Sequence, residues 1–554
     1  MPPADRTLLL EGGTVFTSEP GAARAQALAI GGEVILAVGS SEAVRARVSA
    51  EAEIIDCSGC TVLPGFIDPH NHFLATGEDL RSVDVRYPGV ASRDDLLRRI
   101  AEAADGTPPD RPITGVGMDH AKFPDDRPPT RWDLDEVAPD HHVFVHHISG
   151  HYVLVNSAVL SGAGVSDDVG DPPGGTVVRD EAGRPTGLFL DAATRLVMAS
   201  AVDIGHHGPD FHVSRPLEEL LGGLDVATRA FHEAGLTTVC DPQVTARELV
   251  AYREARRQGR LRIRTACMPL SHELDDLLRI GLAGPFGDDL LLLTGIKLYA
   301  DGSLIGGTAA FSEPYGERRE FSGLLYWSPE ELSDMVRRAH MGGWQVGIHA
   351  QGDRAIGMAI DAIEAASRAD ARDARHRIEH AGYPTPEHVR RMADVGIAAI
   401  TQPMYLFDSG DEFLKRLGDR AHGLQPLRHF LDAEVRVALS SDAFVASFRP
   451  LDAIAEAVVR KTREGREIGP AQALTVEEAV RAQTIEAARA IWMEDRIGSL
   501  TPGKLADVVV LDGDPFSVSP DRIPELQIRT TILGGEVVHG RGEAVAASSR
   551  PSRG

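Results

Sequence analysis

Lysine is almost missing from this chain. Of 57 basic residues only five are lysine, at positions 122, 297, 415, 461 and 504, so arginine is the default cation. Positive charge is itself in deficit: 82 acidic residues leave a net charge of −25, which argues against nucleic acid and anionic membranes as partners. No apolar run approaches the roughly 18 residues of a membrane span. The N-terminal stretch lacks the basic region and long apolar core of a secretory signal, so a cytoplasmic location is expected by default. Aromatic residues make up only 5%, and cysteines number four: Cys57, Cys60, Cys240 and Cys267. Cys57 and Cys60 have redox or zinc spacing. They lie between two short β runs, not at a helix start, so a hairpin turn is the expected explanation of Ser58-Gly59.

What remains is an ordinary globular composition, 43% hydrophobic and 25% charged, with 56 glycines and 34 prolines, as loop-rich α/β enzymes often have. Residues 7 to 64 and 497 to 538 are short β runs with glycine turns, and neither segment makes a full sheet alone. Between them, apolar runs alternate with helical patterns. Eight strands are expected: 62–68, 236–241, 263–269, 294–300, 344–350, 377–381, 397–402 and 436–442. The expected fold class is therefore α/β: a (β/α)8 TIM barrel, a small composite β-sandwich domain from both termini, and a large insert after the first strand. The expected boundaries are 1–64 plus 495–540 for the composite domain, 65–494 for the barrel and 85–215 for an inserted lid within it. A disordered tail is expected over 541–554. Thr475 and Glu478 fit a capping box opening the helix after the last strand.

Metal-capable residues fall where the expected strands end. The first ends in P-G-F-I-D-P-H-N-H, whose His70 and His72 share one side at period two. The fourth carries Lys297 in an apolar run, where an unpaired ammonium would be costly. It can snorkel to the strand end, pair with Asp301, or be carboxylated by carbon dioxide to an anionic carbamate. The fifth strand ends in His349, the sixth in His380 and the eighth in Asp442. In a barrel these positions converge on the face where active sites sit.

The chain resembles the amidohydrolase superfamily, and within it the YtcJ-like branch that includes N-substituted formamide deformylase. The resemblance rests on residues 64–72, S-G-H-Y-V-L-V-N-S-A-V-L (149–160), G-G-T-V-V-R-D-E-A-G-R-P-T-G (174–187), I-K-L-Y-A-D-G-S-L (296–304), H-A-Q-G-D-R-A (349–355), R-I-E-H (377–380), S-S-D (440–442) and P-G-K-L-A-D-V-V-V-L-D (502–512). It implies a metal-dependent hydrolase. The chain departs from the branch at Phe444, at Gly117-Met118-Asp119 and at Gly306-Gly307, all near where substrate is expected.

Two zinc ions are expected per chain, with Mn2+ or Fe2+ as alternatives. His70, His72 and Asp442 would hold the first and His349 and His380 the second, with carboxylated Lys297 and a hydroxide bridging them. Asp442 is the expected base and then acid, and His380 and His151 are the other expected catalytic groups. In a one-metal version Lys297 stays an ammonium and His380 polarises the carbonyl. The expected reaction is hydrolysis of an amide, formamide or N-acyl C–N bond (EC 3.5) in a small-molecule substrate. The alternatives are a mononuclear-metal deaminase and a cyclic-amide hydrolase on the same scaffold. No nucleic-acid or membrane partner is expected, and a homodimer is left open. Asp301 and Ser303 are read as supporting residues or pocket wall, and Arg377 and Glu379 as barrel anchors. His141, His142, His146 and His147 are read as a partly solvated strand surface. The insert is expected to set specificity, favouring N-formyl or short N-acyl derivatives of hydrophobic amines.

Overall fold

The computed structural model describes residues 7–172, 175–198, 202–316 and 321–540, so the tail expected from 541 lies outside the described residues. The fold is mixed α/β and divides into two compact units. One comprises Met1–His72, Thr228–Val244 and Arg256–Gly554, and the other Phe73–Ala227 and Thr245–Ala255.

The first unit contains two largely parallel sheets. One orders the strands Leu291–Leu293, Arg264–Pro269, Leu236–Val244 and Phe66–Asp68, with Phe286–Gly287 antiparallel on its edge. The other orders Gly295–Tyr299, Gln345–Ala350, Arg377–His380, Ala398–Thr401 and Val437–Leu439, all parallel. Arg264–Pro269, Gln345–Ala350 and Val437–Leu439 are buried throughout, which is why such strands read as unbroken apolar runs. Backbone hydrogen bonds join the sheets at both sides. Thr294 N–H donates to Cys267 O at 2.9 Å, between the two strand segments at 291–293 and 295–299. At the other side Asp442 N–H donates to His70 O at 2.8 Å and His72 N–H to Ala443 O at 2.9 Å.

Strands from both ends of the chain form an eight-stranded sheet. Its order is Glu536–His539, Ile528–Leu533, Val508–Leu511, Thr61–Pro64, Thr7–Val15, Ala25–Gly31 and Val34–Gly39, with Glu53–Asp56 also on Thr7–Val15. Alternation along Thr7–Val15 sends Leu8 and Leu10 into one core with Val62, Val508, Val510 and Ile532. Leu9 goes to a second, with Ala27 and Ala29. Gly65 separates this sheet from Phe66–Asp68, so the run expected as one strand over 62–68 is two. A Cβ at Gly65 would lie 2.3 Å from Thr237 Oγ1, so a bulkier residue would push the crossing apart. Arg264, at the start of its parallel strand, pairs in bidentate fashion with Asp507 at 2.7 and 2.9 Å, both buried.

The Cys57–Cys60 turn is not a hairpin. Glu53–Asp56 and Thr61–Pro64 both run parallel to Thr7–Val15, at residues 8–11 and 14–15 of that strand. The turn, closed by Cys60 N–H donating to Cys57 O at 2.8 Å, therefore carries the chain forward along one neighbour without reversing it. Both thiols are free and buried.

The second unit holds a six-stranded mixed sheet ordered Gly175–Arg179, Pro185–Asp191, Tyr152–Val155, Val143–His147, Ile113–Met118 and Val83–Asp84. The helix Arg93–Gly106 is capped by Ser92, and Arg131–Val137 by a Thr130/Asp133 capping box. Among the described residues no helix is long and apolar enough to cross a membrane.

Candidate metal centre

The centre is assembled in the first unit from loops that leave adjacent parallel strands. Asp68, the last residue of its strand, ties two of them together. Its carboxylate accepts from Asn71 Nδ2 at 2.9 Å, from Ser441 N–H at 3.1 Å and from Ser441 Oγ at 2.5 Å. That brackets His70 and His72 against the Ser440-Ser441-Asp442 turn. Asp442 Oδ1 then lies 3.3 Å from His70 Nε2 and 3.0 Å from His72 Nε2. His380 and Asp442 both take left-handed backbone conformations, with φ of 70° and 54°. For residues other than glycine this is strained, costing about 1–3 kcal/mol each, and such strain clusters at functional sites.

The imidazoles are oriented from behind. His70 Nδ1 meets Glu379 Oε2 at 2.5 Å. Glu379 is in turn clamped by the Arg377 guanidinium, whose Nη2 also donates to Pro69 O at 2.6 Å. His380 Nδ1 donates to Gln402 Oε1 at 2.8 Å, and Gln402 Nε2 donates to Ser440 Oγ at 2.8 Å. With each Nδ1 engaged as a donor, each Nε2 presents a lone pair. His70 Nε2, His380 Nε2 and Asp442 Oδ1 are buried and make no hydrogen bond, yet donor atoms of these three residues lie within 4.8 Å of one another. Buried acceptors converging without protons between them fit a divalent cation.

The electrostatics agree. Burial, against the opposing pull of Asp442, pushes His380 down to about 3, and it lowers His72 and His349 as well, keeping these rings neutral. Burial brings Lys297 down to about 8.

The remaining expected residues are distributed as follows. The His349 ring lies 4.4 Å from that of His380, centroid to centroid, and its Nε2 is 3.1 Å from Gly302 O and 3.4 Å from Asp301 Oδ1. Lys297 Nζ is buried with no hydrogen bond, 4.5 Å from the Tyr299 ring centroid. The pairing of Lys297 with Asp301 does not form. The Asp301 carboxylate accepts backbone N–H groups of Ala310, Gln351 and Gly352 at 2.8, 3.0 and 3.0 Å, so it fastens loops together. Ser303 Oγ accepts Gly306 N–H at 3.3 Å, and Arg416 Nη1 donates to the carbonyls of Leu304 and Ile305 at 2.9 and 2.8 Å, which shapes the Gly306-Gly307 turn. The Phe444 ring lies 6.0 Å from that of His72.

His151 belongs to the second unit, where its N–H donates to Ser149 Oγ at 3.3 Å. His141 and His147 are buried and His142 is exposed. The four histidines of 141–147 do not gather as a metal donor set among the described residues. Glu379, read from sequence as an anchor, also orients His70. Gln402 and Tyr405, whose hydroxyl donates to Asp442, were missed. The available signal was that Gln402 falls at the C-terminal end of its strand, as His380 and Asp442 do at theirs.

A parallel α/β scaffold with buried neutral imidazoles and a carboxylate at its strand ends defines a metal-binding enzyme class. The chain belongs to the Amidohydrolase family, whose profile matches residues 53–539. It is 31% identical to N-substituted formamide deformylase of Arthrobacter pascens, over 97% of this chain and 99% of that protein. It is 30% identical to the putative amidohydrolase YtcJ of Bacillus subtilis, over 95% and 98%. Among solved structures, an uncharacterized metal-dependent hydrolase from Pyrococcus horikoshii superposes with a TM-score of 0.76 at 26% identity, covering 93% of this chain and 99% of the other.

Proposed function

We propose that the chain is a metal-dependent hydrolase of carbon–nitrogen bonds other than peptide bonds, acting on an amide, formamide or N-acyl amine. The observation that carries this reading is the convergence of His70, His380 and Asp442 with buried lone pairs and no hydrogen bonds among them. A bound divalent metal such as zinc supplies Lewis acidity and a water of lowered pKa. His70, His72 and Asp442 would hold one ion and His349 and His380 a second. Lys297, buried with no hydrogen bond and brought down to about 8 by burial, offers the neutral amine that carboxylation requires. Asp442 takes the proton of the attacking water and returns it to the departing amine. The two parallel sheets are read as two arcs of one eight-stranded barrel, which the hydrogen bonds at both sides support.

The grouping of His70, His380 and Asp442 as a single set also favours a second reading, a one-metal site with Lys297 left as an ammonium. Metal stoichiometry separates the two. Lys297→Ala should lower the content from two ions per chain towards one, and a wild-type protein that saturates at one ion rejects carboxylation as a bridge.

The reaction is tested by assaying metal-loaded and chelator-treated protein on matched N-formyl amines, N-acyl amino acids, cyclic amides and aminopyrimidines. Release of free amine only by the loaded protein is expected, and exclusive deamination of the aminopyrimidines would reject amide hydrolysis. Asp442→Asn should lose on the order of 10²–10⁴-fold in kcat with substrate still bound. Near-normal kcat in a fully metallated variant would assign the proton transfer elsewhere.

A further inference from the structure

Tyr405 approaches the centre from a strand end that supplies none of the candidate ligands. It stands in the first turn of the helix Met404–Leu417, three residues after Gln402, and is buried. Its hydroxyl hydrogen-bonds Asp442 Oδ2. An ionised carboxylate can only accept, so the phenol is the donor. The Tyr405 ring is nearly parallel to that of His380, at 11° with centroids 6.1 Å apart. The two oxygens of Asp442 thus have separate surroundings: Oδ2 is occupied by the phenol, while Oδ1 faces His70 Nε2 and His72 Nε2 and makes no hydrogen bond. Gln402 does the corresponding work on His380, so the short segment 402–405 aims two groups of the centre at once.

We propose that Tyr405 is a positioning residue that reserves Oδ2 of Asp442, so that the carboxylate presents a single oxygen, Oδ1, to the histidine cluster. This rests on the reading of Asp442 as the metal-facing proton carrier. Without the phenol the carboxylate could rotate and offer both oxygens. It would then bind a cation more symmetrically and hold its proton-transfer oxygen less well.

Tyr405→Phe keeps the ring and its stacking and removes only the hydroxyl. In protein loaded with cobalt(II) in place of zinc, the variant should show weaker visible bands, because a second carboxylate oxygen raises the coordination number. On a formanilide, kcat should fall roughly 10- to 100-fold, the worth of one hydrogen bond to a charged group, with KM nearly unchanged. A purely structural role would lower thermal stability and leave the cobalt bands as in wild type, and that result overturns the proposal. So does a wild-type kcat. Should Tyr405→Phe fail to fold, Tyr405→Gln, which keeps a donor, compared with Tyr405→Leu, which keeps none, makes the same test. If the wild type turns over no amide at all, the proposed function fails, while the cobalt comparison still decides the role of Tyr405.

Discussion

A glutamate two residues from an arginine usually sits in water, but Glu379 has no exposed surface. It is held between the Arg377 guanidinium and His70 Nδ1. Burial works against its charge, yet Arg377 and His70 keep it well below the usual carboxylate range. Two consequences follow from one side chain. It sets the His70 tautomer, and it neutralises a buried arginine that also holds the Pro69 carbonyl at the base of the His-x-His turn. Glu379→Gln should therefore weaken metal binding by roughly 10- to 100-fold, the usual effect of removing the partner of a ligating histidine. It should also destabilise the fold by about 3–5 kcal/mol, because it leaves the Arg377 charge buried without its counter-ion. Competition with a chromogenic chelator and denaturant titration measure the two effects. Unaltered affinity in a stable variant would show that His70 is oriented by packing alone.

Among the elements, the strands Gln345–Ala350 and Arg377–His380 are linked at their entrance by a relay outside the centre. His376 Nδ1 accepts Val346 N–H at 3.0 Å, its Nε2 meets His340 Nδ1 at 2.8 Å, and His340 Nε2 reaches Asp370 O at 2.8 Å. This pattern is satisfied only if His376 is protonated at Nε2 alone and donates to His340. Burial accordingly pushes His376 down to about 3 from the ordinary 6.5. Between those values the unfolded chain takes up a proton that the folded chain refuses. The contribution to stability is thus full above about pH 6.5 and is lost as pH falls towards 3. The melting temperature should drop more steeply between pH 7 and 4.5 in wild type than in His376→Gln, and parallel curves would remove the relay from the acid response. At this scale the sequence was readable where burial makes strands continuously apolar, as in 345–350. It misled where a strand is cut by a crossing, at Gly65, and it placed 294–300 within a residue of the observed Gly295–Tyr299 but did not offer the segment Leu291–Leu293 before it. His70, His380 and Asp442 could be singled out because ligand chemistry marks them in their own motifs. Gln402 offered only its place at a strand end and Tyr405 nothing, since a glutamine and a tyrosine acquire their parts from the neighbour that the fold brings to them.

For the whole molecule, the eight-stranded sheet joins residues 7–64 to residues 508–539. Thr61–Pro64 finds its antiparallel neighbour Val508–Leu511 about 440 residues further along the chain. A chain ending at Ala506 would leave that strand edge unpaired and the Leu8, Leu10 and Val62 core half covered. Such a chain should partition to the pellet after lysis, whereas one ending at Gly540 should stay in the supernatant. Equal recovery of both would mean that the N-terminal strands suffice on their own. The same arrangement also sets a clock. At the roughly 5–20 residues per second of protein synthesis, the first strands leave the ribosome on the order of 20–90 seconds before their partner exists. For that interval the newborn N-terminus is an open template, and its safe passage depends on whatever shields it during translation.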